Sequence, residues 1–215
     1  MKAAIFDLDG TIADTLCDLA DAVNGGLREM GYPEHSCDEY RYMVGNGAWK
    51  LCERALPDEH KDETPELHRL FSANYGRNFL DKTRLYDGIH EVMVRLSEAG
   101  VKLAVATNKP EEFAELLIGR LLPDIPFVRV LGGRRDRPSK PDIQIIAEVL
   151  AALPDEDCEA YMIGDSSVDI LTGKNAGIHT IGCVWGFRGR SELEAAGAEF
   201  VIDKPEEIVS IIRNS

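Results

Sequence analysis

Short apolar runs alternate with amphipathic stretches along most of this chain, and the alternation predicts an α/β domain. Runs of strand length lie at Val101–Thr107, Phe127–Leu131, Ala160–Gly164, Thr180–Val184 and Phe200–Ile202. Helical patterns lie at Ile89–Ala99, Glu111–Leu122, Asp142–Leu153, Asp169–Ala176, Ser191–Ala196 and Glu206–Arg213. Apolar runs separated by helices are typical of βαβ units and a parallel sheet. Ala3–Asp7 predicts one more strand of the same sheet.

Residues 14–83 have a different pattern, with helical periodicity and no convincing strand. Apolar residues recur at helical spacing, first at Leu16, Leu19, Ala20, Val23 and Leu27, then at Leu67, Leu70, Phe71, Tyr75 and Phe79. Prolines and glycine interrupt the pattern at Gly31–Pro33 and Pro57–Pro65. We therefore predict an α/β core formed by residues 1–13 and 84–215, with an all-helical insert formed by residues 14–83. Such an insert emerges at the edge of the sheet where ligands bind and would form a lid.

Composition and charge narrow the class of protein. The chain has 215 residues, 44% of them hydrophobic, so it can bury a core without disulfides or metal. Its formal net charge is −14, which argues against nucleic acid or an anionic membrane surface as a partner. An anionic substrate requires a metal or local cations that reverse the field at the site.

Cysteine usage and the N-terminus indicate the compartment. The five cysteines have no paired spacing, which predicts reduced thiols in a cytosolic protein. The apolar run after Met1 and Lys2 ends at Asp7, so it is too short for a signal peptide. No apolar run approaches the roughly 20 residues of a membrane span. We expect a cytoplasmic protein; its oligomeric state stays open.

Two stretches with polar side chains follow the first two predicted strands. In Asp7-Leu8-Asp9-Gly10-Thr11, two carboxylates precede a glycine that permits a sharp turn. In Thr107-Asn108-Lys109-Pro110, a hydroxyl and an amide stand where a helix start could attract an anion. Both stretches also have a purely structural explanation: the first as an ordinary Asp-Gly turn, and the second as an ordinary helix cap.

Two further stretches complete the set. Lys140-Pro141-Asp142 precedes a predicted helix and offers a point charge for phosphate, although a solvated lysine is the commoner case. Gly164–Asp169 places Asp165 at a strand end and Asp169 in the next helical turn, where an acid also favours the helix dipole. Together the stretches supply oxygen ligands for Mg²⁺, donors for phosphate, a carboxylate nucleophile and an acid–base group.

The ordered set resembles the haloacid dehalogenase superfamily of phosphatases over nearly the whole chain. The residues that carry the resemblance are Asp7–Thr11, Thr107, Lys140 and Gly164–Asp169, in that family's order. The resemblance implies a Rossmann-like parallel sheet with a helical cap after the first motif. This organisation agrees with the periodicity described above.

The resemblance also implies a magnesium site and a covalent mechanism. Asp7 would be the nucleophile and a metal ligand. Asp9 would act as acid and then as base, while its main-chain carbonyl binds the metal. Asp165 would complete the protein ligands to Mg²⁺, with Asp169 supporting from close by.

For the substrate, the resemblance implies a small phosphorylated metabolite. Thr107 and Asn108 would hold the phosphoryl group, Lys140 would neutralise charge beside Asp7, and Asn46 of the cap would lie over the substrate. Within the superfamily, the chain is most similar to phosphoglycolate phosphatases, at Asp7–Thr15, Val44–Gly47, Thr107–Pro110 and Trp185–Phe187.

Departures from that group and competing functions leave some points open. Ile143 replaces a frequent second proline, and the loop at residues 132–139 is unusually basic, with Arg134, Arg135 and Arg137. These arginines either contact a second anionic group of the substrate or are solvated loop charges. Cys17 either lines the site or packs in the cap, and packing is the default. The alternatives to a phosphatase are a sugar phosphomutase and a catalytically silent phospho-ligand-binding regulatory protein, and the natural substrate stays open.

Overall fold

The computed structural model of the protein describes residues 1–154 and 157–214. The strands, numbered in chain order, are β1 Lys2–Phe6, β2 Ala13–Asp14, β3 Arg84–Leu85, β4 Lys102–Pro110, β5 Phe127–Gly133, β6 Glu159–Gly164, β7 His179–Cys183 and β8 Phe200–Ile202. The helices are α1 Leu16–Met30, α2 Gly47–Ala55, α3 Thr64–Asn78, α4 Ile89–Glu98, α5 Glu111–Leu121, α6 Gln144–Leu150, α7 Ser167–Asn175, α8 Arg190–Ala195 and α9 Glu206–Asn214.

A six-stranded parallel sheet in the order β5-β4-β1-β6-β7-β8 forms the core. β1 lies between β4 and β6, and its side chains alternate between two buried faces as a strand requires. Ala4 and Phe6 pack with α4, α5 and α9, whereas Ala3 and Ile5 pack with α6. This central position explains why the strand is apolar and buried from Ala3 to Phe6.

The cap has its own apolar core, formed chiefly by α1, α2 and α3. Two 3₁₀ turns, Cys37–Tyr42 and Asp58–Glu63, connect these helices. A short antiparallel ribbon of β2 and β3 joins the insert to the core, with β2 crossing the first predicted boundary and β3 beginning at the second. Asp18 of α1 reinforces this junction, because its carboxylate accepts hydrogen bonds from the backbone N–H groups of Lys82 and Thr83.

The division into residues 1–13 with 84–215 and residues 14–83 remains a prediction. Residues 155, 156 and 215 of the predicted core lie outside the described part of the chain. The predicted α/β fold class with a parallel sheet is confirmed. No helix among the described residues is long and apolar enough to cross a membrane.

Two predicted elements differ from the structure near the site. The helix predicted from Asp142 begins at Gln144, because the Asp142 carboxylate accepts the Gln144 N–H at 2.8 Å. The strand predicted to end at Thr107 continues to Pro110 with a shift of register, and α5 follows at Glu111 as predicted. Residues 107–110 therefore belong to strand β4 and not to a helix start.

The prediction that all five cysteines are reduced is wrong for one pair. Cys17 at the start of α1 and Cys37 in the first 3₁₀ turn form a disulfide with a Cα–Cα distance of 5.6 Å. Cysteine spacing does not reveal this pair because the two residues meet only when the cap folds. Cys52 and Cys183 are buried and lie outside the disulfide.

Candidate active site

The polar stretches meet at the carboxyl ends of β1, β4 and β6. Asp7 and Asp165 directly follow β1 and β6, and Thr107 lies near the end of β4. Adjacent parallel strands end at the same edge of a sheet, so residues far apart in sequence become neighbours. The sheet order thus brings together three of the four stretches, and the loop before α6 adds Lys140.

Three buried acids form the floor of the site. One carboxylate oxygen from each of Asp7, Asp165 and Asp169 lies within 4.8 Å of the others. Burial, partly offset by Lys140, raises the pKa of Asp7 to about 6. Burial, together with the charges of Asp169 and Asp7, raises the pKa of Asp165 well above its usual range. Such a set of crowded oxygen donors needs positive charge.

Lys140 supplies part of that charge. Its ammonium group lies 3.0 Å from Asp7 Oδ1 and donates to Asp169 Oδ1 at 2.6 Å and to the Ala106 carbonyl at 2.9 Å. Burial alone would lower the pKa of Lys140, but attraction by Asp169 and Asp7 outweighs burial and raises it. Lys140 is therefore a charged group inside the protein, not the solvated lysine of the alternative interpretation.

Asp165 and Asp169 are held by different partners. Asp169 Oδ2 accepts from the Ser166 hydroxyl at 2.7 Å and from the Ser166 N–H at 3.1 Å, closing a capping box at the start of α7. With Lys140 on its other oxygen, Asp169 is satisfied by protein groups. Asp165 accepts the Phe187 N–H at 2.6 Å. The segment Trp185–Phe187 thus belongs to the site through its backbone.

Two glycines let the backbone approach Asp165 closely. A Cβ atom at Gly10 would lie 2.4 Å from Asp165 Oδ2, and the backbone there has a φ of 85°. A Cβ atom at Gly186 would lie 2.2 Å from Asp165 Cβ. The Asp-Gly pattern of the first stretch is therefore part of the site and not only a turn.

The residues present fit a divalent cation. Asp7 Oδ1 is buried, and the Lys140 ammonium lies 3.0 Å from it. The Asp7 and Asp165 oxygens are hard donors of the kind that Mg²⁺ prefers. The three-acid cluster supports Asp7 and Asp165 as ligands and Asp169 as a supporting residue, whereas the Asp9 carbonyl stays a prediction.

Asp9 lies beside this cluster and faces the cap. Its Oδ1 accepts from the Thr15 hydroxyl at 2.7 Å and from the Lys109 ammonium at 3.0 Å, and Lys109 also lies 3.2 Å from Oδ2. The Asp9 side chain is therefore separate from the Asp7 and Asp165 carboxylates, a position suited to moving a proton.

Lys109 and Tyr75 are site residues that the sequence interpretation did not assign. The Lys109 side chain is only 1% exposed, and its ammonium lies 4.6 Å from the centroid of the Tyr75 ring of α3. Burial would lower the pKa of Lys109, but attraction by Asp9 outweighs it and raises the pKa. The signal for Lys109 was present in the Thr107–Pro110 stretch, but nothing indicated that its side chain would reach Asp9.

Thr107 and Asn108 both line the cavity, but their side chains do different things. The Thr107 hydroxyl accepts the Lys109 N–H at 3.3 Å. The Asn108 amide donates to the Gly45 carbonyl of the cap at 3.0 Å and accepts the Lys140 N–H at 2.8 Å. Asn108 therefore positions Lys140 and attaches the cap, while its predicted contact with phosphate stays a prediction.

The predicted cap residue Asn46 lies next to the cavity, with its side chain directed elsewhere. Gly45 and Gly47 line the cavity, whereas Asn46 Oδ1 accepts from Arg54 at 2.7 Å. The role of Asn46 over the substrate stays a prediction.

The basic loop does not form a single surface. Arg137 is buried and pairs with Glu148 at 2.6 Å and with Glu111 at 3.2 Å, so neither proposed role fits it. It fastens the loop to α5 and α6. Arg134 is exposed and lies 3.1 Å from Asp136. Arg135 is also exposed; burial lowers the pKa of His68 in the cap, and the positive charge of Arg135 lowers it further.

A cavity of about 30 Å³ lies between the core and the cap. Asp7, Asp9, Thr107 and Lys109 line its core side, and the cap side is mostly apolar. At about 10–15 Å³ for each water, the cavity holds roughly two water molecules in this closed arrangement.

Acidic residues and lysines lie at the strand ends of a parallel sheet, and a helical cap covers them. This arrangement defines the protein as a capped α/β enzyme. A family model described as haloacid dehalogenase-like hydrolase matches residues 4–183. The chain belongs to this family.

Curated relatives match the chain from end to end. The phosphoglycolate phosphatase of Vibrio parahaemolyticus is 32% identical over 219 residues, which cover 99% of this chain and 96% of that protein. The phosphoglycolate phosphatase of Aquifex aeolicus is 31% identical over 214 residues, covering 100% and 98%.

Solved structures agree with this assignment. A candidate phosphoglycolate phosphatase from Lactobacillus delbrueckii has a TM-score of 0.90 and 29% identity, over 98% of this chain and 97% of that chain. CbbY from Rhodobacter sphaeroides, in complex with phosphate, has a TM-score of 0.77 and 26% identity, over 96% and 95%. The predicted resemblance and the assignment to an enzyme of the hydrolase class are confirmed.

Proposed function

We propose that the protein is a Mg²⁺-dependent phosphatase that hydrolyses a small phosphomonoester through a phospho-aspartyl intermediate on Asp7. The observation that carries the proposal is the buried Asp7 carboxylate, which lies 3.0 Å from the Lys140 ammonium and clusters with Asp165 and Asp169. The similarity to phosphoglycolate phosphatases makes phosphoglycolate the first candidate substrate.

In the first step, a carboxylate oxygen of Asp7 forms a bond to phosphorus while the bond to the ester oxygen breaks. Asp9 gives its proton to the leaving oxygen. In the second step, Asp9 takes a proton from water, which attacks the phospho-aspartate, releases phosphate and restores Asp7. Splitting a difficult displacement in this way gives two easier steps.

The surrounding residues keep the reacting anions together. Lys140 holds positive charge against Asp7, and Asn108 fixes the Lys140 backbone. Mg²⁺ held by Asp7 and Asp165 would offset the negative charge of the phosphoryl group. The closed cavity holds only about two waters. The cap therefore moves away to admit the phosphate ester and closes over an ester that is small.

The test is phosphate release from phosphoglycolate, sugar phosphates, nucleotides and pyrophosphate, with and without Mg²⁺. We expect metal-dependent release that is lost in Asp7→Asn, with thermal unfolding used to show that the variant is folded. Release by folded Asp7→Asn at the rate of the wild type would refute the nucleophile.

The same panel separates the two alternatives. A phosphomutase would convert a sugar phosphate to its isomer with little free phosphate, and a silent binding protein would bind phosphate esters without turnover. Thr15 and Lys109 hold the Asp9 carboxylate in place, which supports an acid–base role for Asp9 in a phosphatase or a phosphomutase. A silent binding protein would have no evident use for this arrangement.

A further inference from the structure

Lys109 occupies an unusual position for a lysine. Its side chain is 1% exposed, yet it lines the cavity, and it is the one cationic residue among the described residues that do so. An ammonium group has three N–H donors. Lys109 Nζ lies 3.0 Å and 3.2 Å from the two oxygens of Asp9 and also interacts with Tyr75. A single carboxylate takes at most two of the three N–H groups, so donor capacity remains on the side that faces Tyr75 and the cavity.

Tyr75 provides a second polar group at the same place. Its hydroxyl is buried beside Lys109, and its O–H donates to no described residue, although the residue lines the cavity. Buried polar groups nearly always have a partner, and a hydroxyl without one is a position where a ligand atom fits. Burial, partly offset by Lys109, raises the pKa of Tyr75 to about 12, so this hydroxyl keeps its proton and can donate it in a hydrogen bond.

The rest of the wall on the cap side is apolar. Its side chains include Leu19, Val44, Leu51 and Phe71. A leaving group rich in hydroxyls would lose its hydrogen bonds to water against such a wall. An anionic group would find a charge-assisted partner in Lys109 and a second donor in Tyr75.

We propose that Lys109 and Tyr75 form a subsite that selects a carboxylate on the leaving portion of the ester. This assignment rests on the proposed phosphatase function and adds the residues that determine its specificity. The substrate class is a short phosphate ester whose alcohol carries a carboxylate, and the ester is small enough for the closed cap to cover.

The experiment compares phosphoglycolate with 2-hydroxyethyl phosphate, which replaces the carboxylate by a neutral CH₂OH group of similar size. The readout is the ratio of the two kcat/KM values. A hydrogen bond to a charged group corresponds to a preference of about 10–100-fold for phosphoglycolate in the wild type. Lys109→Met should bring the ratio close to one, and Tyr75→Phe should lower it by roughly 2–10-fold.

The ratio of the two kcat/KM values distinguishes binding of the substrate carboxylate by Lys109 from the contact that Lys109 makes with Asp9. Because Lys109 also contacts Asp9, Lys109→Met will slow both substrates, but loss of that support alone would leave the ratio unchanged. Tyr40→Phe is the matched control, since its hydroxyl donates to Asn24 inside the cap at 2.7 Å and the ratio should stay at the wild-type value.

Three outcomes would overturn the proposal. One is wild-type protein that hydrolyses both esters equally, which would leave the phosphatase function standing. Another is a ratio that survives both Lys109→Met and Tyr75→Phe. If Lys109→Met does not fold, the kcat/KM ratios of the wild type and of Tyr75→Phe still test the proposal. Turnover of neither ester, nor of any other phosphomonoester, would overturn the phosphatase function as well.

Discussion

Replacing Lys140 by methionine tests whether its charge holds the acid cluster together. Methionine is also long and unbranched, so the change mainly removes the ammonium group. Three buried carboxyl groups would then face one another without that cation, two of them at 3.0 Å and 2.6 Å from the lost nitrogen.

The expected loss of stability is large for one residue. Removing one partner of a buried ion pair costs about 3–5 kcal/mol, out of a typical total of about 5–15 kcal/mol. For a chain of this size, about 1 kcal/mol shifts the Tm by about 2–4 °C, so the Tm should fall by roughly 6–20 °C. Surface pairs contribute roughly 0–1 kcal/mol, so Lys82→Met, which breaks an exposed pair with Asp21, should lower the Tm by a few degrees at most.

The assay is thermal and urea unfolding of metal-free wild type, Lys140→Met and Lys82→Met near neutral pH. A second series at about pH 4 checks the cause. The raised pKa of Asp7 means that its carboxyl binds a proton more tightly in the folded state than in the unfolded state. Acid therefore relieves the repulsion, and the deficit of Lys140→Met should shrink. A deficit no larger than that of Lys82→Met, or one that grows in acid, would refute the reasoning.

Three other results are expected. Asp9→Asn should lower kcat by about 10²–10⁴-fold with little change in KM, and steady-state rates within tenfold of wild type would contradict its acid–base role. The rise of the Asp7 pKa from 3.8 to about 6 costs the metal-free protein about 3 kcal/mol as pH increases through that range, so excess MgCl₂ should raise the Tm at about pH 8 and have little effect at about pH 4. Equal Tm increases at both pH values would contradict this. Unfolded, unreduced protein should show three titratable thiols, and five after reduction; five thiols before reduction would exclude the disulfide between Cys17 and Cys37.

The parallel sheet could be predicted because strands buried on both faces must be apolar throughout. All five strand-length runs after Gly88 became strands, and Phe200–Ile202 kept its predicted bounds. Elements beside the site were less predictable. The shift of register in β4 arises in its pairing with β5, which periodicity does not record.

The site residues divide in the same way. Asp7 and Asp165 stand at the ends of adjacent strands, so sheet geometry predicts that they meet, and the resemblance to the family added Lys140. Lys109 depends instead on how the cap packs, because Tyr75 and Asp9 enclose it from two sides. Burial of Arg137 depends on Glu111 and Glu148, which approach it from two helices. Sequence distance hides such contacts, and a charged loop looks solvated until its partners are known.

The balance of charge supports the proposal that this site binds a divalent cation in addition to its lysines. Four carboxyl groups, Asp7, Asp9, Asp165 and Asp169, face two ammonium groups, Lys109 and Lys140, so the fully ionised site has a deficit of two positive charges. A phosphomonoester adds further negative charge, in a protein whose formal net charge is already −14. Lys140 lies against Asp7 and Asp169, Lys109 lies against Asp9, and burial raises the pKa of Asp7 and Asp165. The proposed cation of charge two, bound by oxygens of Asp7 and Asp165, would restore the balance and leave Lys109 facing the part of the substrate that departs.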